Sequence, residues 1–222
     1  MKQEQNVKHL RDLVRGRIQS TIDIKAALLQ DSNFHDALAH VALRIVESLR
    51  AGGKVIFFGN GGSAADAQHL TAEFTGRYLK ERRALAALAL STNSSSVTAI
   101  GNDYGFDLVF ARQLEALGKE GDIAIGISTS GNSRNVIRAF EVAKANSIYT
   151  VALTGASGGA MKKVADRTIC VPTQETPRIQ ECHILAGHII CEIVELALFE
   201  DAENGFGAKE LITTPSQRGK NS

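Results

Sequence analysis

Apolar residues recur near a 3.6-residue spacing across residues 6–31, at Val7, Leu10, Leu13, Val14, Ile18, Ile22, Ala26 and Leu29, which predicts an amphipathic helix. A second such stretch runs from Phe34 to Leu49 and stops at Gly52-Gly53. From Lys54 the period changes. Short apolar runs at Lys54–Phe58 (KVIFF), Ala86–Leu90 (AALAL), Asp122–Ile127 (DIAIGI), Tyr149–Leu153 (YTVAL) and Thr168–Val171 (TICV) read as five buried strands. Helical patterns at 63–78, 106–117, 132–146 and 178–199 fill the intervals, and Ser91–Ser96 (STNSSS) reads as a loop. Strands alternating with helices predict an α/β fold with a five-stranded parallel sheet between helical layers. Two helices before the first strand exceed what a minimal α/β domain needs, so their apolar stripe must pack on this subunit or another. The chain divides into helices at 1–52, the α/β unit at 53–203, and a Gly-rich, polar and loosely ordered tail at 204–222.

Composition narrows the classes. Hydrophobic residues make up 44% and charged residues 22%, a balance that excludes wholesale disorder. A net charge of +1 gives no electrostatic footprint for nucleic acid or for a membrane surface. The first residues are charged throughout, unlike a signal peptide, and no uncharged apolar run approaches the ~20 residues of a membrane span. Cys170, Cys182 and Cys191 include no CxxC and cannot all pair, so they read as reduced thiols with packing roles in a cytoplasmic protein.

Two segments share one design: an apolar strand, a loop of Gly, Ser or Thr, then a helix. They are Gly59-Asn60-Gly61-Gly62-Ser63 and Ser128-Thr129-Ser130-Gly131-Asn132-Ser133. A helix N-terminus carries free N–H groups and partial positive charge, and glycines let the backbone approach an anion. Hydroxyls of Ser63, Ser128, Thr129, Ser130 and Ser133 can donate to phosphate oxygens. Turns and N-caps would use the same residue types, but four or more hydroxyls in six residues exceed the needs of one cap. Neither loop has a Walker lysine or GxGxxG, which favours a small phosphorylated molecule over a nucleoside triphosphate or dinucleotide.

His69 and Glu73 stand at i and i+4, on one helix face. An imidazole and a carboxylate so placed can ligate zinc or move protons, and a solvated surface pair gives the same spacing. Gln180 and His188, eight apart, face roughly the same way on the last helix. His188 lies in an apolar stretch (ILAGHIICEIVELAL), where it must be hydrogen-bonded, ligated or functional. His183 is off that face. His9, His35 and His40 read as surface residues.

The segments GNGGSAADAQHLTAEFTGRY, AIGNDYGF, GISTSGNSRNV, VALTGASGG and PRIQECHILAGHIICEIVE together resemble the phosphoheptose isomerases, which are sugar-isomerase (SIS) domain proteins. The resemblance covers nearly the whole chain to about residue 200, and HLTAE combined with RIQECHILAGH is its most specific part. It implies interconversion of sedoheptulose 7-phosphate and D-glycero-D-manno-heptose 7-phosphate through an enediol(ate), for bacterial lipopolysaccharide or capsule precursors. It implies a homotetramer built by the N-terminal helices, with active sites between subunits. It places phosphate on Ser63, Ser128, Thr129, Ser130 and Ser133, with Gly61 and Gly62 in the first loop and Asn60, Asp103 and Gln180 lining the sugar site. Arg77 falls near the same pocket. It implies one zinc ion per subunit on His69, Glu73, Gln180 and His188, with Glu73 as general base and His188 as general acid. Pro177 stands where some members carry an aspartate, so no carboxylate acts from that position here. The alternative of the same fold is a non-catalytic SIS tetramer that binds a replication initiator; such relatives lack the Glu of the pair and the late His, and this chain has both.

Overall fold

The computed structural model describes residues 2–199. Five strands, β1 (Val55–Gly59), β2 (Ala87–Ala89), β3 (Ile123–Ser128), β4 (Tyr149–Thr154) and β5 (Arg167–Cys170), form one sheet in the order β2-β1-β3-β4-β5. Every pair is parallel, as the alternation of strands and helices predicts. Val55, Phe57, Ile125 and Leu153 face one apolar layer, while Ile56, Phe58, Ala124 and Ala152 face the other. Burial on both faces is why the strands read as continuous apolar runs. The strand order reverses between β1 and β3, which makes the carboxyl ends of those two strands the switch point where open α/β sheets bind ligands.

The helices are α1 (Lys2–Leu29), α2 (Ser32–Arg50), α3 (Gly62–Thr75), α4 (Ser94–Tyr104), α5 (Ala111–Leu117), α6 (Arg134–Ala145), α7 (Met161–Val164) and α8 (Thr176–Phe199). The Asp31 carboxylate caps α2 by accepting from the N–H groups of Asn33 and Phe34. Phe34, Leu38, Val41, Ile45 and Leu49 then bury one face of α2 in the core. α1 behaves differently. Arg178 donates to the Arg17 carbonyl and the Thr21 hydroxyl, and Thr21 donates to Glu181, which ties α1 to the start of α8. Its stripe of Val7, Leu10, Leu13, Val14, Ile18 and Ile22 stays 43–57% exposed. This subunit does not cover that stripe.

Two expected helices and one expected loop need correction. The region read as a loop at Ser91–Ser96 opens α4, capped by the Asn93 side chain on the Ser96 N–H. α4 buries no residue fully, so it offered no apolar stripe to read. The helix expected at 106–117 is a 3₁₀ turn at Phe106–Leu108 followed by α5. The helix expected at 63–78 stops at Thr75. The Arg82 guanidinium takes the carbonyls of Glu73, Phe74 and Gly76, and the N–H groups of Tyr78, Leu79 and Lys80 donate to the Glu195 carboxylate. The four-residue α7 was also unforeseen. Pro177 sits in the first turn of α8, where proline's fixed φ suits a helix start. α8 alone among the described helices has the length and apolarity of a membrane span. Here it is a core helix against α2 and α3. The tail expected to be loose lies outside the described residues.

Candidate active site

β1 and β3 run side by side, with Gly59 paired to Ile127, so the loops that follow them are neighbours. The Asn60 and Asn135 side-chain amides exchange two hydrogen bonds, at 3.0 and 2.9 Å, and lock the first loop to the start of α6. α3 begins after Gly61, which has no side chain to cap it. Ser133 holds the cap position of α6 but does not cap the helix. Its hydroxyl pairs with Ser128 Oγ at 2.8 Å, and Ser130 Oγ lies 3.4 Å from Ser128 Oγ. Turns and caps alone do not account for this loop: the hydroxyls converge on one another, and both helix N-termini are left without side-chain caps. Gly131 has φ of +66°, and a Cβ there would run into the Gly158 backbone. The loop is braced from that side, with Met161 N–H donating to the Gly131 carbonyl and Ala160 N–H to Asn132 Oδ1.

His69, Glu73 and His188 meet where α3 packs on α8. Their ligand atoms all lie within 4.8 Å of one another. His69 Nε2 is 2.8 Å from His188 Nε2 and 3.4 Å from Glu73 Oε1. Close approach of the helices depends on Gly187, where a Cβ would strike Leu70. The spacing on α3 left a solvated pair open; the structure puts a third donor from another helix beside that pair. His188 is half-buried and faces His69. Two imidazole nitrogens and one carboxylate oxygen, with no thiolate, fit zinc in a site that keeps a position for substrate. Gln180, expected as a fourth donor, has its carboxamide packed on Gly62, two turns before His69.

The other expected residues divide. Ser63 and Ser128 are buried at the loop floor, and Thr129 and Ser130 are more open. Asp103 is on α4, exposed, and lines a cavity of about 520 Å3 with Leu90, Asn93, Tyr104 and Arg112. None of the phosphate-loop residues lines that cavity. Arg77 is exposed and reaches toward Glu81, at 3.6 Å. His9, His35 and His40 are exposed, and Cys182 and Cys191 are buried in the core, as expected. Cys170, Cys182 and Cys191 are all free thiols. Sequence reasoning missed Tyr78, whose ring stacks on His188, and the buried Arg82–Glu195 pair. The only linear signal was that Glu195 lies seven residues after His188, on the same face of α8.

His183 is 1% exposed, and its Nε2–H donates to the Thr154 carbonyl at 3.1 Å. Burial pushes its pKa down from 6.5 to about 4, outweighing the hydrogen bond to Thr154. Above pH 6.5 the imidazole is neutral in both the folded and the unfolded chain. Between pH 6.5 and 4 the unfolded chain binds a proton that the folded chain refuses, so stability falls with acidification by up to about 3 kcal/mol. Denaturant titrations from pH 7 to pH 4 should show this slope, and His183→Gln should flatten it. Equal slopes in the two proteins would overturn the assignment.

The likeness to known proteins extends well beyond this geometry. Residues 22–155 match the SIS domain family, so the chain is a SIS protein by fold. It is 50% identical over 192 residues to the phosphoheptose isomerase of Aneurinibacillus thermoaerophilus, covering 86% of this chain and 97% of that one. It is also 50% identical to the phosphoheptose isomerase of Rhodospirillum rubrum, covering 85% and 99%. The solved phosphoheptose isomerase of Neisseria gonorrhoeae superposes with a TM-score of 0.79 at 42% identity, covering 84% of this chain and 98% of that one. The chain belongs to the phosphoheptose isomerases, and it is an isomerase that acts on a sugar phosphate.

Proposed function

We propose that this isomerase interconverts sedoheptulose 7-phosphate and D-glycero-D-manno-heptose 7-phosphate for heptose precursor synthesis in the cytoplasm. The observation that carries the reading is the meeting of His69, Glu73 and His188 on the helix that springs from the first phosphate loop. The phosphate sits over the N-termini of α3 and α6, held by the hydroxyls of Ser63, Ser128, Thr129, Ser130 and Ser133. Asn60 and Gln180 line the sugar. Glu73 takes the carbon-bound proton, and His188 moves the hydroxyl proton as the enediol(ate) forms. His69 holds the His188 ring in place through the 2.8 Å contact. His69, Glu73 and His188 are the residues that would hold zinc, and the Gln180 carboxamide stays packed on Gly62, beside the sugar. When bound, zinc polarises the substrate carbonyl and stabilises negative charge on its oxygen. The uncovered α1 stripe supports a homotetramer, because several large apolar side chains exposed in one line are an interaction surface.

A coupled assay with sedoheptulose 7-phosphate, run with a chelator and then with added Zn²⁺, tests the reading. Turnover lost to the chelator and restored by zinc is the expected result. Turnover that persists after the metal has demonstrably been removed keeps the isomerase and discards zinc. No turnover under any metal overturns the substrate assignment.

A further inference from the structure

Arg82 and Glu195 form an ion pair at 2.8 Å with both side chains 2% exposed. Burying two charges costs as much free energy as their attraction returns, so such a pair is weak grounds for stability alone. What it supplies is direction, and its hydrogen bonds lead to the candidate active site. Glu195 lies on α8 two turns beyond His188. Its carboxylate accepts from the N–H groups of Tyr78 at 3.1 Å and of Leu79 and Lys80 at 2.8 Å each. Arg82 donates to the Glu73 carbonyl at 2.7 Å and to the Phe74 carbonyl at 3.0 Å. One buried pair thus fixes the last turn of α3, which carries Glu73, and the connection that follows it. The first residue of that connection to reach Glu195 is Tyr78, and its ring lies on His188 at 5.7 Å between centroids and 29° between planes. His69 meets His188 from another side, edge-on, at 5.1 Å and 72°. The imidazole is held between two rings.

We propose that the Arg82–Glu195 pair is a positioning device for the active site, and that it acts on His188 through the ring of Tyr78. The proposal rests on the reading of His188 as the group that moves the hydroxyl proton. Tyr78 does no chemistry itself. Its ring limits rotation of the imidazole, so that Nε2 keeps its place beside His69 and Glu73. Misalignment of a proton-transfer group by about 1 Å is enough to lower a rate ~100-fold. The phosphate-loop residues lie on other segments, so substrate affinity does not depend on this ring.

Tyr78→Ala, in the half-buried connection, separates positioning from fold. It should lower kcat ~10- to 100-fold with KM for the sugar phosphate unchanged. Tyr78→Phe should restore kcat, because the contact uses the ring. Arg82→Met should give the same kcat loss by releasing the connection that carries Tyr78. Imidazole NMR resonances of His188 in the unliganded protein supply a readout independent of turnover. They should shift in Tyr78→Ala through loss of the ring current and hold their wild-type positions in Tyr78→Phe. A wild-type kcat in Tyr78→Ala, a rise in KM in place of the kcat loss, or an unshifted His188 resonance would overturn the proposal. If the wild-type protein shows no isomerase turnover, the functional reading fails, and the resonance shift still decides whether Tyr78 stacks on the His188 ring in solution.

Discussion

Glu73→Gln is expected to lower kcat by ~10²- to 10⁴-fold, the range a positioned acid–base group supplies. The substitution is nearly isosteric and removes the proton acceptor. The side chain is only part-buried, and its Oε1 lies 3.4 Å from His69 Nε2. The link from this residue to the Arg82 clasp runs through its backbone carbonyl, which glutamine keeps. Melting temperature and oligomeric state should therefore stay close to wild type. KM should change little, because the proposed phosphate contacts lie in the two loops and not at Glu73. A variant with near-native kcat would remove Glu73 from the mechanism, and with it the acid–base assignment made here.

The largest expected effect on stability comes from Arg82→Met. It leaves the Glu195 carboxylate buried without its cation, at a cost of about 3–5 kcal/mol. For a chain of this size that lowers Tm by roughly 10 °C. Burial pushes the Glu195 carboxyl up, but the N–H groups of Leu79, Tyr78 and Lys80 together with Arg82 outweigh burial and hold it below the usual range. A carboxyl with a depressed folded pKa stabilises the fold above its unfolded pKa. That contribution is lost as pH falls through the folded value. The wild type should therefore lose stability at acid pH partly through Glu195, and Arg82→Met should lose less on the same titration. Calorimetry of the two proteins across the acid range checks both statements, and an unchanged Tm in Arg82→Met would refute the first.

Some of this protein was legible one residue at a time. The strands were legible because a parallel sheet covered on both faces needs unbroken apolar runs, as in Ile123–Ile127. The two loops between strand and helix were legible because glycine and small hydroxyl side chains cluster there, next to helix starts that carry no side-chain cap. α2 announced itself through its buried face. α4 did not, because its stability comes from the Asn93 cap and partial packing of Val97 and Ile100. The early end of α3 was hidden for a related reason: the groups that terminate it belong to Arg82 and to Glu195, more than a hundred positions further on.

The same division runs through the site. The i, i+4 rule placed His69 and Glu73 on one face, the apolar stretch around His188 marked that residue as a candidate, and a family resemblance joined the two. The tertiary structure decided that the Nε2 atoms of His69 and His188 stand 2.8 Å apart and that Tyr78 closes over His188. It also set Asp103 on the wall of a different cavity and left the α1 stripe uncovered. Local sequence determines which chemistry is available and which face of an element is apolar, since both follow from neighbours within one or two turns. Which side chains meet depends on how close two helices can pack. Here that is set by the absence of a side chain at Gly187 and by a buried ion pair between residues 113 positions apart.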